Sequence, residues 1–132
     1  MGILNLTPDS FSDGGLYYDR KTAFLRACQI EEDGADILDM GGESTRPGSE
    51  SVKAEDEIDR VIPLIRKLKK TIRIPISIDT SKSKVARLAL EYGASMVNDV
   101  TGLRGDSSMA SVVARYKVPV VIMHMKGLPR TM

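Results

Sequence analysis

Five groups of polar residues could bind a charged or hydrogen-bonding ligand, because each one follows a short apolar segment of the chain. They are Asn5 with residues 7–10, Asp39 with residues 41–48, Asp79 with residues 80–81, Asn98-Asp99 with residues 101–102, and His124. Aspartate and asparagine also cap helices, so a single member of this set would favour a structural role. The same placement after five successive segments favours one shared site.

The second group has the chemistry of a phosphate site. Residues 41–48 read GGESTRPG, which combines glycine backbone freedom, two hydroxyls and the guanidinium of Arg46. Arginine binds phosphate with two parallel hydrogen bonds, and small hydroxyls with free backbone N–H groups complete an anion cradle. This loop therefore predicts binding of a phosphate-bearing substrate.

The first group adds oxygen ligands to a long polar loop. Asn5 and Asp9 are of the type that holds Mg²⁺ beside a substrate phosphate. The loop that contains Thr7, Asp9, Ser10 and Phe11 is expected to close over such a substrate as a lid. The alternative is a floppy segment near the chain terminus.

Apolar and amphipathic segments alternate in a way that would bring these groups together. The strand candidates are residues 2–6, 35–40, 74–79, 95–100 and 118–125, and the helix candidates are residues 20–33, 54–70, 83–92 and 107–116. This alternation predicts a parallel sheet with right-handed crossovers, either an open doubly wound sheet or part of a (β/α)8 barrel. The carboxyl ends of parallel strands share one edge, where such folds place their sites.

Composition excludes several classes of protein. The chain has 132 residues, the length of one domain, and a net charge of +1. Because its basic residues are scattered and no apolar run reaches the roughly 20 residues of a membrane span, nucleic acid and membrane partners are disfavoured. The single cysteine, Cys28, fits a reducing cytoplasm, where we expect the protein to be.

Two motifs resemble the signature loops of the dihydropteroate synthase family. They are NLTPDSFSDGG at residues 5–15 and GGESTRPG at residues 41–48, and the segments ISIDT, VNDV and MHM follow in the family's order at residues 76–80, 97–100 and 123–125. The resemblance implies a TIM barrel that joins 6-hydroxymethyl-7,8-dihydropterin diphosphate to p-aminobenzoate and releases diphosphate, with Mg²⁺ as cofactor.

The resemblance also implies roles for individual residues. Asp79 and Asn98 would hydrogen-bond the pterin, and Asn5 would lie near Mg²⁺ and the diphosphate. Asn5, Arg46 and Asp79 would carry the catalytic roles. The further substrate-binding residues would be Ile3, Val100 and Met123 as apolar walls, Thr45 with Arg46 at the diphosphate, and Pro47 at p-aminobenzoate.

A complete barrel needs about 250 residues. Residues 1–132 are therefore expected to form the N-terminal portion of the barrel, about strands 1–5 with four intervening helices, and to be inactive alone. The resemblance implies a homodimer for the full-length family, and the open strand edges predict self-association of this portion. Two alternatives stay open: a pterin-binding methyltransferase domain, which handles no diphosphate, and a non-catalytic half-barrel module.

Overall fold

The structure is a computed structural model that describes residues 1–6, 20–42, 53–99, 101, 103 and 105–122. Within these ranges five strands alternate with four helices. The strands are β1 Gly2–Asn5, β2 Leu38–Gly41, β3 Ile76–Asp79, β4 Met96–Asp99 and β5 Val120–Ile122. The helices are α1 Arg20–Glu32, α2 Ala54–Lys69, α3 Ser83–Tyr92 and α4 Met109–Tyr116.

The strand order distinguishes between the two predicted architectures. All pairings are parallel, and the order in the sheet is β1-β2-β3-β4-β5, the same as in the chain. A doubly wound sheet reverses its strand order at a switch point, whereas a barrel adds each strand beside the previous one. The sheet therefore confirms the predicted partial (β/α)8 barrel.

The two faces of the sheet differ in polarity. Leu4, Leu38, Met40, Ile78 and Val97 are buried on the side that packs against the helices. The helices contribute apolar stripes to the same core, such as Val61, Ile65 and Leu68 of α2, which are fully buried. The opposite face, here called the inner face, carries the residues that alternate with these core positions.

Backbone geometry explains where the segments begin and end. Gly34 and Gly93 follow α1 and α3 with φ of +100° and +147°, a region that glycine enters without strain. The strands β2 and β3 begin three and two residues later than predicted. The predicted start of β2 at Ala35 rests on apolar residue type. In the structure the Ala35 N–H donates to the Ile30 carbonyl at 3.3 Å, so this residue still belongs to the end of α1. No helix in the described ranges is long and apolar enough to cross a membrane.

Candidate functional site

Residues at or next to the carboxyl ends of the strands form a row across the inner face of the sheet. Asn5 is in register with Gly41, and Asp79 is in register with Asn98. Gly41 lies beside Asp79, because a Cβ built on Gly41 would be 3.3 Å from the Asp79 Cβ and 3.6 Å from its Cγ. The structure thus places Asn5, Asp79 and Asn98, three of the predicted site residues, at the carboxyl edge of one sheet.

The three polar side chains of the row become more buried from β1 to β4. Asn5 is exposed, Asp79 is half-buried, and Asn98 is only 9% exposed. A ligand with a charged end and a heterocyclic end can use such a gradient, since a charged group needs water or counter-charge while a flat ring is stabilised by burial.

A second polar layer lies beneath this row. Asp39 and Ser77 are in register on neighbouring strands and are both buried. The Asn98 amide Nδ2 donates a hydrogen bond of 3.1 Å to Oδ2 of Asp39. Within the described residues, three buried side-chain atoms lack a hydrogen-bond partner: Asp39 Oδ1 and Ser77 Oγ in this layer, and Asn98 Oδ1 in the row. An unpaired buried polar atom costs roughly 1–3 kcal/mol, so these atoms are candidates for pairing with a ligand.

Burial changes the acid–base character of Asp39. It raises the pKa of the Asp39 carboxyl above its ordinary value, and the neighbouring side chains of Ser77 and Asn98 partly oppose this shift. Ionisation of Asp39 is therefore less favourable in the folded chain than in water.

The sequence patterns assign no ligand contact to Asp39 or Ser77. Asp39 is among the polar residues that follow apolar segments, and Ser77 is part of the ISIDT motif. The available signal was the two-residue period of a strand, which puts Ser77 on the same face as Asp79. The depth of the layer depends on register between strands, which the local sequence does not specify.

Two other carboxylates at this edge hold loops together. Asp99 is fully buried and accepts hydrogen bonds from the Thr101 N–H at 2.9 Å, the Thr101 hydroxyl at 2.7 Å and the Leu103 N–H at 3.2 Å. Asp106 accepts from the N–H groups of Ser83 at 2.7 Å and Ser108 at 2.9 Å. These N–H donors lower the pKa of Asp106. Both carboxylates therefore have a structural role, because they accept hydrogen bonds that hold loops in place.

The remaining predicted residues are not assembled into a pocket by the described part of the chain. Ile3 is in register with Asp39, but its side chain is 63% exposed instead of forming an enclosed apolar wall. The other predicted site residues lie outside the described residues: Thr7, Asp9, Ser10, Phe11, Thr45, Arg46, Pro47, Val100 and Met123.

A cavity of about 250 Å³ lies at the opposite edge of the sheet. Its lining includes Lys69, Arg73, Pro75, Gly93 and Ser95, which surround the amino ends of β3 and β4. It shares no residue with the row or with the layer beneath it. Barrel enzymes place their sites at the carboxyl ends of the strands, so the polar row is the better candidate.

Comparison with known proteins identifies relatives of this chain. Dihydropteroate synthase from Synechocystis is 49% identical over 132 residues, covering 100% of this chain and 46% of the relative. The Bacillus subtilis enzyme is 53% identical over 124 residues, covering 94% of this chain and 44% of the relative. The chain thus spans less than half the length of these curated relatives.

Solved structures give the same result for the fold. The Clostridium difficile dihydropteroate synthase, determined in the presence of pteroic acid, superposes with a TM-score of 0.89 at 56% identity, covering 94% of this chain and 47% of that one. The Xanthomonas albilineans enzyme in complex with 7,8-dihydropteroate gives 0.82 at 46% identity, covering 95% and 45%. The family model described as pterin binding enzyme matches residues 1–132. The chain therefore belongs to the pterin binding enzyme family.

Proposed function

We propose that this chain supplies the pterin- and diphosphate-binding portion of a dihydropteroate synthase. The reaction displaces diphosphate from 6-hydroxymethyl-7,8-dihydropterin diphosphate with the amine of p-aminobenzoate. The observation that carries the proposal is a set of three buried polar side chains, Asp39 and Ser77 in the layer and Asn98 in the row. Their unpaired atoms lie near Asp79 at the edge where barrel enzymes bind substrates. The names of the relatives support the same activity.

The row and the layer suit the edge of a pterin ring. That edge presents an amino group and ring N–H groups as donors, and ring nitrogens and a carbonyl as acceptors. The Asp79 carboxylate accepts from the donors, while the amide of Asn98 still has an unpaired oxygen after its bond to Asp39. Each bond to a charged group contributes about 1.5–3 kcal/mol, which is enough to orient the ring.

The more exposed end of the row suits the diphosphate. Asn5 is exposed at the end of β1, from which the first signature loop continues. The described residues contain no cluster of three His, Cys, Asp or Glu side chains that could hold a metal ion. Mg²⁺ often keeps several waters and takes only one or two protein oxygens beside substrate phosphates, so the Asn5 amide oxygen fits as one such ligand. Bound there, Mg²⁺ would neutralise charge on the departing diphosphate.

In this proposal the chain acts by placement and electrostatics. The C–O bond to diphosphate breaks, the amine nitrogen bonds to the pterin methylene carbon, and the nitrogen then loses a proton to solvent. Asp79 and Asn98 hold the ring so that the methylene carbon stays oriented. Arg46 retains its predicted role at the diphosphate.

Binding without turnover is the expected property of residues 1–132 alone. Ile3 and Asn5 are exposed on the inner face, so the described residues leave the methylene end of a bound pterin open to water. Catalysis of this kind needs a site that excludes water. Sustained formation of dihydropteroate by the purified 132-residue chain would contradict this expectation.

Calorimetric titration of the chain with the pterin diphosphate tests the proposed site. Asp79→Asn and Asn98→Ala should each weaken binding about 10- to 100-fold, since each removes one or more ring contacts. Ser95→Ala, an exposed position at the other edge of the sheet, is the matched control and should bind like the wild type. Equal affinity of all four proteins would contradict the assignment.

Cytoplasmic location and self-association also remain proposals. The strands β1 and β5 are the edges of the described sheet, and unpaired edges favour pairing with another chain. Sedimentation of the purified chain would show whether it is monomeric.

A further inference from the structure

Glu57 on α2 is a buried acid that the proposed mechanism does not use. It is 1% exposed and both of its carboxylate oxygens are occupied. The Lys82 ammonium pairs with Oε1, and the Thr80 hydroxyl donates to Oε2 at 3.0 Å. A charged side chain is almost never buried without such partners, because removing it from water is costly.

The two partners of Glu57 belong to the turn that follows Asp79. Thr80 is the next residue, and its N–H donates to the Asn98 carbonyl at 3.2 Å, which ties the turn to β4. The Thr80 hydroxyl also accepts from the Lys82 N–H at 3.2 Å. Glu57 thereby fixes the rotamer of Thr80, and Thr80 fixes the backbone of the turn.

The same part of α2 also holds the end of β2. Arg60, one helical turn beyond Glu57, donates to the Gly42 carbonyl at 2.7 Å. A Cβ built on Gly42 would lie 3.3 Å from the Glu57 Cα, so the helix packs directly on the β2 terminus. The first turns of α2 therefore contact the chain immediately after two neighbouring strands of the row.

We propose that Glu57 is a positioning residue of the pterin site: through Thr80 and Lys82 it fixes the turn after β3 and so holds Asp79 in place. The ligand named in this inference rests on the proposed function. Two apolar side chains could fill the same space with comparable stability. The ion pair and its hydrogen bond instead impose one geometry on the turn, which a binding residue at its start requires.

Hydrogen exchange of single amides tests the positioning role directly. In Glu57→Leu the Thr80 hydroxyl loses its acceptor, so the Lys82 amide should exchange at least about tenfold faster. The Ser83 amide, which donates to Asp106 and not to this cluster, is an internal control and should keep its rate. Equal acceleration of both amides would show general loosening of the fold and would overturn the proposal, as would no change at Lys82.

Ligand affinity provides the second readout. Glu57→Gln keeps an oxygen acceptor for Thr80 and should stay within about threefold of the wild-type affinity for the pterin diphosphate, while Glu57→Leu should lose about tenfold or more. Glu55→Leu is the matched control, because Glu55 is also on α2 and pairs with a nearby lysine, Lys84 of α3 at 3.6 Å, but on the exposed surface. It should change neither readout. Weakening of binding by Glu55→Leu equal to that by Glu57→Leu would overturn the specific role.

Two outcomes separate this inference from the proposed function. If the wild-type chain does not bind the pterin diphosphate, the proposed function fails, and the exchange rates still decide whether Glu57 holds the turn after Asp79.

If Glu57→Leu does not fold, Lys82→Met replaces it. Lys82→Met removes the ion pair but keeps the hydrogen bond between Thr80 and Glu57. The amide at position 82 should exchange faster and the ligand should bind more weakly, each by less than tenfold. Wild-type exchange and wild-type affinity together would overturn the proposal.

Discussion

Gly41→Ala should weaken ligand binding about 10- to 100-fold, because the new methyl group displaces Asp79. The new Cβ would lie 3.1 Å from the Asp79 carbonyl oxygen, 3.3 Å from its Cβ and 3.6 Å from its Cγ. The first two distances are shorter than ordinary van der Waals contact. Both of these atoms are positioned by the Asp79 backbone, so the end of β3 must shift to relieve the contacts, and the Asp79 carboxylate moves with it.

The expected magnitudes follow from this geometry. Overpacking of this kind costs about 1–3 kcal/mol, and loss of glycine freedom in the unfolded chain returns about 0.4–1 kcal/mol because Gly41 does not have a positive φ. The net loss of unfolding free energy is therefore about 0–2.6 kcal/mol. Displacement of Asp79 removes a charged hydrogen bond to the pterin, which should reduce affinity about 10- to 100-fold.

Gly34→Ala is the matched control for this experiment. Gly34 has a φ of +100° with no atom within 4 Å of a built Cβ, so alanine there strains the backbone without touching the site. It should destabilise the fold by about 1 kcal/mol and leave ligand affinity unchanged. Urea denaturation and calorimetry would measure the two quantities. Wild-type affinity in Gly41→Ala, or an equal loss of affinity in Gly34→Ala, would show that displacement of Asp79 does not control binding.

Three further predictions concern stability. Burial raises the pKa of Asp39 in the folded chain. The free energy of unfolding should therefore fall as the pH rises from about 4, near the pKa of an unfolded aspartate, through the pKa of Asp39 in the folded chain. Asp39→Asn should remove that dependence and raise the unfolding free energy at pH 7 by about 1 kcal/mol, whereas a clear loss in denaturant titration would contradict it. The pKa of Asp106 is lowered, so its contribution is complete above about pH 4 and is lost as the pH falls through the folded value. Asp106→Asn should therefore be less stable at pH 7 and should match the wild type more closely at low pH, and a constant difference across the pH range would count against this. Ile65→Ala should cost about 2–5 kcal/mol by thermal or urea unfolding, because this side chain is fully buried in the core.

The fold could be predicted from the sequence because the residue pattern of each segment indicates whether it forms a strand or a helix. Alternation of apolar and amphipathic segments gave the parallel sheet, and the structure added the unbroken strand order. Strand boundaries were less accurate, since pairing between strands sets them. The Leu38 N–H, for example, donates to the Pro75 carbonyl at 3.0 Å, a contact between residues distant in sequence.

The candidate site was predictable only in part. Asp79 and Asn98 could be placed at the strand ends because polar residues interrupt apolar runs there. The different functions of similar acids could not be separated from sequence: Asp99 and Asp106 bind loop N–H groups, while Asp39 lies beneath the row with an unpaired oxygen. That distinction depends on contacts between strands and loops that come together only in the folded chain.

We propose that the pterin binds on the inner face at the carboxyl edge of the sheet. NMR titration of the ¹⁵N-labelled chain with the pterin diphosphate tests this location. Binding there should shift the signals of the Asn98 side-chain NH₂ and of the amides of Asp39, Ser77 and Asp79. Shifts confined to Lys69, Arg73 and Gly93 around the opposite cavity, or no shifts at all, would contradict it.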